Sequence, residues 1–396
     1  MAPAADAAKY AADLGCETLA TLSDFFSITF LETLRDKVLP GLWPLLVALA
    51  ACAVLVPLAI RVSRRTGIMA VPGGRHAHST PTPLLGGLAM FVGFAVAVLT
   101  FVPSTTTRTG VLVVSGLAAV LLIADDRWSV SPGIKFALQL LVALVAVAVF
   151  GFVIRYFGLP GSGGYGSTKV VDLGWFAVPV SLFWLLGMQN TVNFLDGVDG
   201  LAAGVVFIVA LTLLIAAAGK DQIEVVQLAG ALAGACAGFL LFNFHPARIF
   251  MGDSGSHFLG AALAVISILG VAKVAVAFAL AVPILALALP IADTAWAIVR
   301  RRRVRMSVAS PDLQHLHHRL QAFGLTPRQT CYVFYAATAL LGTIGLMFFG
   351  HRRILGALVV VALVLASTVA ADRLQKAGVR IPAPFLRRLL AEPGTR

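Results

Sequence analysis

Asn190-Thr-Val-Asn-Phe-Leu-Asp-Gly-Val-Asp-Gly-Leu-Ala-Ala-Gly204 closes one long apolar segment and opens the next. At that junction it sets two carboxylates, Asp196 and Asp199, and two carboxamides, Asn190 and Asn193. An ionisable group is costly to hold beside lipid, so one kept there implies a role or a partner. Asp125, Asp126 and Asp253 occupy similar segment ends. Together they suggest a site for a polyanion and a metal ion, assembled at one membrane face.

The rest of the chain supports a membrane reading. Hydrophobic residues make up 59% of it and charged ones 12%, and the mean hydropathy is +0.93. These values lie outside the range of soluble globular domains. Apolar runs approach the roughly 20 residues a spanning helix needs at 42–60, 85–102, 110–124, 134–154, 175–190, 201–218, 224–242, 256–272, 274–299, 329–349 and 354–371. The expected fold is an all-α polytopic membrane protein of about eleven transmembrane helices. An outer amphipathic extension covers 1–41, an integral domain 42–371 and a basic cytoplasmic tail 372–396. With the amino terminus outside and the carboxyl terminus in the cytoplasm, the inner connections hold 20 of the 30 Lys and Arg residues. That bias accounts for the net charge of +12 without a nucleic-acid partner. Cys16, Cys52, Cys236 and Cys331 show neither disulfide nor metal-ligand spacing.

Two segments depart from plain spans. The ninth run contains Pro283 and Pro290, each of which removes a backbone donor and crowds the preceding turn, so a broken helix is expected, with Asp293 near its inner end. The outer connection from Arg155 to Gly174 is rich in glycine and carries Val170-Val171, consistent with a short β-hairpin on the membrane.

The inner connections carry the chemistry. Adjacent carboxylates such as Asp125 and Asp126 repel unless a proton or a cation intervenes, and Lys135 returns nearby to offer a point charge for a phosphate. Asp196 and Asp199 share a face if their segment is helical, and their hard oxygen donors suit Mg²⁺, with Mn²⁺ the alternative. Gly252-Asp-Ser-Gly-Ser256 precedes an apolar run, where helix-start amides can face an anion. Phe250 has the shape to stack on a base and Asn243 the groups to hydrogen-bond one. His315, His317, His318 and Arg319 concentrate donors for diphosphate oxygens or sugar hydroxyls behind Ser310-Pro311, without the spacing of a zinc site. Arg75, His76 and His78 form a weaker phosphate-contact candidate.

As a set, Asp125-Asp126, Asn190-x-x-Asn193-Phe-x-Asp196-Gly-x-Asp199-Gly-Leu, Phe250-Met-Gly-Asp253-Ser-Gly-Ser and His315-Leu-His317-His318-Arg319 resemble the signatures of the polyprenyl-phosphate N-acetylhexosamine-1-phosphate transferases, of glycosyltransferase family 4 type. The resemblance covers about 42–371. It implies a Mg²⁺-dependent enzyme of the bacterial inner membrane with its active site facing the cytoplasm. That enzyme moves GlcNAc-1-phosphate from UDP-GlcNAc to undecaprenyl or decaprenyl phosphate and starts a cell-envelope polysaccharide. It further implies that Asp199 and Asp253 hold Mg²⁺, that Asp125 or Asp126 orients or deprotonates the acceptor phosphate, and that Lys135 contacts phosphate. Asn243 and Phe250 match uridine-pocket positions, the histidine segment and Arg319 match phosphate and sugar contacts, and a homodimer is compatible with the family. The alternatives are a phospho-N-acetylmuramoyl-pentapeptide transferase within the class and, outside it, a secondary transporter or a membrane scaffold. A transporter predicts ionisable groups near the bilayer midplane rather than at span ends.

Overall fold

The computed structural model describes residues 34–70, 81–128, 130–160, 168–272 and 325–347. The expectations for residues 1–33 of the amino-terminal extension, the broken ninth run with Asp293, the Arg75 loop, the His315–Arg319 segment and the basic tail lie outside these residues.

Ten α-helices form the described part: α1 Leu39–Thr66, α2 Gly86–Phe101, α3 Thr106–Leu121, α4 Ile123–Trp128, α5 Pro132–Leu144, α6 Ala177–Leu195, α7 Leu201–Ala218, α8 Ile223–Asn243, α9 Gly252–Ala272 and α10 Pro327–Met347. Nine of the eleven apolar runs fall on described residues, and each coincides with a helix. Among the described residues, six helical stretches are long and apolar enough to cross a membrane. The anticipated hairpin is present as β3 (Tyr156–Pro160) against β4 (Thr168–Asp172), antiparallel, with Tyr156 opposite Asp172. A second small pair, β1 (Met69–Ala70) with β2 (Thr82–Pro83), was not foreseen.

Local signals set the boundaries. Pro40 enters α1 in its first turn, and Gly67, with φ 71°, ends it after Arg64 and Arg65. The Ser131 hydroxyl accepts from the Ile134 amide to start α5, with Pro132 following.

Packing divides the helices into an inner and an outer set. The apolar windows of Leu201–Ala218, Ile223–Asn243 and Gly252–Gly270 are 78%, 72% and 83% buried by protein, whereas those of Arg35–Thr66 and Pro132–Val149 are 17% and 22% buried. Thus α7, α8 and α9 form the centre, while α1 and α5 keep a broad apolar face for lipid. Small residues make the close contact between α8 and α1. A Cβ at Gly230, Gly234 or Gly238 would run into the carbonyl oxygens of Gly41, Leu45 and Leu49 respectively. Where lipid is as apolar as the side chains, such backbone approach supplies the dispersion contacts that association needs.

Candidate active site

Chain direction alone brings the polar groups to one end of the bundle. Asp125 and Asp126 lie on α4 after the end of α3, Lys135 lies in the first turn of α5, Asn190, Asn193 and Asp196 lie at the end of α6, and Asp253 lies in the first turn of α9. The β3–β4 hairpin follows α5 and precedes α6, at their opposite ends.

Lys135 Nζ bridges Asp125 Oδ2, at 3.3 Å, and Asp253 Oδ2. The three side chains are about one-fifth exposed, so they are partly desolvated yet reachable. Asp253 Oδ1 accepts from Asn193 Nδ2 at 2.6 Å, and the same amide group donates to Ser256 Oγ at 2.9 Å. Both carboxylate oxygens of Asp253 are therefore held from neighbouring helices.

Asp126 caps a helix that begins far along the chain. Its Oδ1 accepts from the Asp253 amide at 2.6 Å and its Oδ2 from the Ser254 amide at 3.1 Å. The helix-start amides expected to face a ligand anion thus face a carboxylate of the protein itself, which satisfies orphan donors and the positive end of α9. Gly252, with φ 70°, makes this possible, since a Cβ there would meet the Asp126 carboxyl within 2.6 Å.

Asp199 stands on the flank. Its Oδ2 accepts from the Ala247 amide at 3.0 Å and pairs with His245 Nδ1 at 2.8 Å. Asn243 is buried, with both ends of its carboxamide engaged. Oδ1 accepts from the Gly200 amide at 2.9 Å and Nδ2 donates to the Ile249 carbonyl at 2.9 Å. Its side chain therefore braces the Asp199–Gly200 turn against the Ile249–Met251 loop rather than offering free groups to a base. Gly200 takes φ 83° to start α7, a conformation that L side chains avoid. The Phe250 loop is threaded between two elements: Phe250 N donates to Pro83 O at 2.8 Å, while Gly86 N and Gly87 N donate to Phe250 O and Met251 O at 3.1 and 3.0 Å. The first amides of α2 are satisfied in this way.

Asp196 lies just past the end of α6, and its carboxyl is held well above the usual carboxylate range. Burial is the first cause, followed by the charges of Asp253, Asp126 and Asp199. The cluster carries more negative charge than Lys135 offsets. That surplus, made of hard oxygen donors, fits a divalent cation. Among the described residues, no three or more His, Cys, Asp or Glu side chains form a ready cage.

Several supporting residues escaped the sequence reading. Gln139, one turn after Lys135, and His257, one turn after Asp253, extend the network inward. On the other side Arg328 Nε donates to His245 O at 2.8 Å and Tyr335 OH to Gly200 O at 2.6 Å, so α10 clamps both flanking loops. Helical spacing from a known acid was the signal for Gln139 and His257. Nothing local marked Arg328 or Tyr335.

The sequence model of glycosyl transferase family 4 matches residues 108–271. The chain is 37% identical over 291 residues to a probable undecaprenyl-phosphate N-acetylglucosaminyl 1-phosphate transferase of Bacillus subtilis, covering 73% of this chain and 80% of the relative. It is 34% identical over 366 residues to a decaprenyl-phosphate N-acetylglucosaminephosphotransferase of Mycolicibacterium smegmatis, covering 84% and 88%. A phospho-N-acetylmuramoyl-pentapeptide-transferase of Desulforudis audaxviator is 33% identical over 327 residues, covering 76% and 94%.

Proposed function

The chain belongs to glycosyl transferase family 4, as a multi-pass membrane protein, and on that premise we propose that it transfers GlcNAc-1-phosphate from UDP-GlcNAc to a polyprenyl phosphate. The products are polyprenyl-diphosphate-GlcNAc and UMP, formed at the cytoplasmic face of the plasma membrane to begin a cell-envelope polysaccharide. The observation that carries this reading is the convergence of Asp125, Lys135, Asn193 and Asp253, drawn from four helices, at one end of the bundle. The same convergence speaks against a transporter, whose charges belong near the midplane.

An acceptor phosphate oxygen attacks the β-phosphorus, and the bond to the UMP oxygen breaks. The obstacle is the approach of two anions. Lys135 opposes it with a fixed ammonium, and the rigid helix ends hold the reactants in line. Mg²⁺ fits the donor set: Asp253 would hold it with Asp196, whose carboxyl feels the Asp253 charge, and Asp199 is the further carboxylate beside them. Bound there, the ion would supply neutralisation of diphosphate oxygens. Asp126 is committed to the start of α9, which leaves Asp125 as the residue that orients the acceptor phosphate. That phosphate is already largely ionised at neutral pH, so orientation counts for more than proton removal.

The test is UMP release by the purified full-length protein in nanodiscs with Mg²⁺, undecaprenyl or decaprenyl phosphate and a panel of UDP-sugars. Turnover with UDP-GlcNAc and not with UDP-N-acetylmuramoyl-pentapeptide is expected. The reverse preference would transfer the chain to its pentapeptide-transferring relatives, and no UMP from any donor would overturn the reading.

A further inference from the structure

His257 is fully buried on α9, and the reaction as described does not use it. Its Nδ1 lies 2.8 Å from the Asp253 carbonyl oxygen, and its Nε2 lies 2.8 Å from Gln139 Nε2. Gln139, itself buried, accepts at Oε1 from Asn190 Nδ2 at 2.7 Å, and the second Asn190 hydrogen goes to the Leu186 carbonyl at 2.8 Å.

This run ends at both extremes on backbone carbonyls, which can only accept. The Asp253 carbonyl requires a hydrogen on His257 Nδ1, so Nε2 of the neutral ring is a lone pair and Gln139 must turn its amide nitrogen toward it. The Leu186 carbonyl requires the amide nitrogen of Asn190, so Gln139 must turn its oxygen toward Asn190. The two demands agree. The orientation of three side chains on three helices follows from one consistent direction of donation, Asn190 to Gln139 to His257 to the Asp253 carbonyl. Both Asn190 hydrogens are consumed, and Oδ1 is the function left for a ligand.

We propose that His257 and Gln139 are positioning residues that lock the Asn190 carboxamide as a hydrogen-bond acceptor for the substrate and tie it to the turn of α9 that bears Asp253. The inference rests on the proposed transferase reading for its ligand, while the lock itself is a property of the protein alone. In chemical terms, a neutral acceptor set among carboxylates takes an N–H or O–H group of the substrate without adding to the negative charge that opposes the diphosphate. At metal sites, losing the hydrogen-bond partner that orients a ligating side chain costs about 10- to 100-fold in affinity or activity, and the same scale is expected for a carboxamide oriented in the same way.

The experiment is a double-mutant cycle in the full-length protein in nanodiscs, with ¹⁵N-histidine NMR alongside. His257→Leu and Gln139→Leu should each lower kcat with UDP-GlcNAc by about 10- to 100-fold. Combined with Asn190→Ala, neither should lower it much beyond Asn190→Ala alone, because all three act through one carboxamide. His257→Asn, which keeps a donor for the Asp253 carbonyl but has no Nε2 lone pair, should fall with them while Tm stays near the wild-type value. The NMR spectrum should show His257 neutral and protonated on Nδ1. Multiplicative losses in the double variants, or a ring protonated on Nε2, would overturn the proposal. If the wild-type protein transfers nothing, the transferase reading fails by itself, and the tautomer together with the same cycle read on Tm still decides whether the lock exists.

Discussion

Asp126 caps the helix that carries Asp253: one carboxylate oxygen accepts the Asp253 amide at 2.6 Å and the other accepts the Ser254 amide next to it. An acid that resembled a catalytic base is thereby an anchor for the residue at the centre of the site. Of the adjacent pair, Asp125 is the one whose charge faces the Lys135 ammonium.

Removing that cap should loosen α9. Asp126→Ala is expected to cost about 0.5–2 kcal/mol of stability, the usual range for a lost amino-terminal cap. Asp126→Asn, with one acceptor oxygen left, should fall between Ala and wild type. Thermal unfolding in nanodiscs measures this, and an unchanged Tm in Asp126→Ala would contradict the anchoring role.

Lys135 is expected to matter for rate more than for fold. Lys135→Met removes a preorganised charge where negative oxygens gather, so turnover should drop by about 10²- to 10³-fold. Lys135→Arg should recover little, because the planar guanidinium does not occupy the position between Asp125 and Asp253 that the compact ammonium fills. Wild-type turnover in Lys135→Arg, followed by UMP release, would show that any cation suffices.

Asp196 gives a prediction about pH. Its carboxyl binds a proton more tightly in the folded protein than in the unfolded chain. Its contribution to stability is therefore complete below the ordinary carboxylate value of about 4 and is lost as pH rises from there through the raised native value. Asp196→Asn should raise the Tm of the metal-free protein at pH 7, flatten its decline with pH, and reduce turnover. Mg²⁺ should raise the wild-type Tm more than that of the variant. A steeper pH dependence in Asp196→Asn, read from Tm between pH 5 and 8, would contradict the assignment.

The α1–α8 contact should tolerate no side chain. At Gly234 a Cβ would run into Leu45 O, with the Ala48 side chain 2.9 Å away, and backbone cannot yield as a flexible side chain does. Gly234→Leu is expected to destabilise by about 3 kcal/mol or more, seen as loss of monodisperse protein on size exclusion. Gly133→Ala, where a Cβ meets nothing within 4 Å, should behave as wild type.

The helices and the end of the bundle that bears the site were legible in the order of residues, because both follow from solvent physics acting locally. An apolar run of sufficient length must be helical in lipid, and a carboxylate at its end is too costly to be incidental. The β3–β4 pairing was readable for a related reason, since glycines and β-branched neighbours act over a few positions. The work divided among the acids was not legible. Asp126 meets the Asp253 amide across 127 positions and Gln139 meets His257 across 118, and no local propensity encodes which oxygen meets which amide. Asn243 resembled a ligand group until Gly200 and Ile249 were seen to consume both of its ends. The chain alone determined a membrane bundle with its carboxylates gathered at one end. Only the tertiary structure decided which of them hold the protein together and which stay available to a substrate, because hydrogen-bond satisfaction is settled by contacts between helices that meet only after folding.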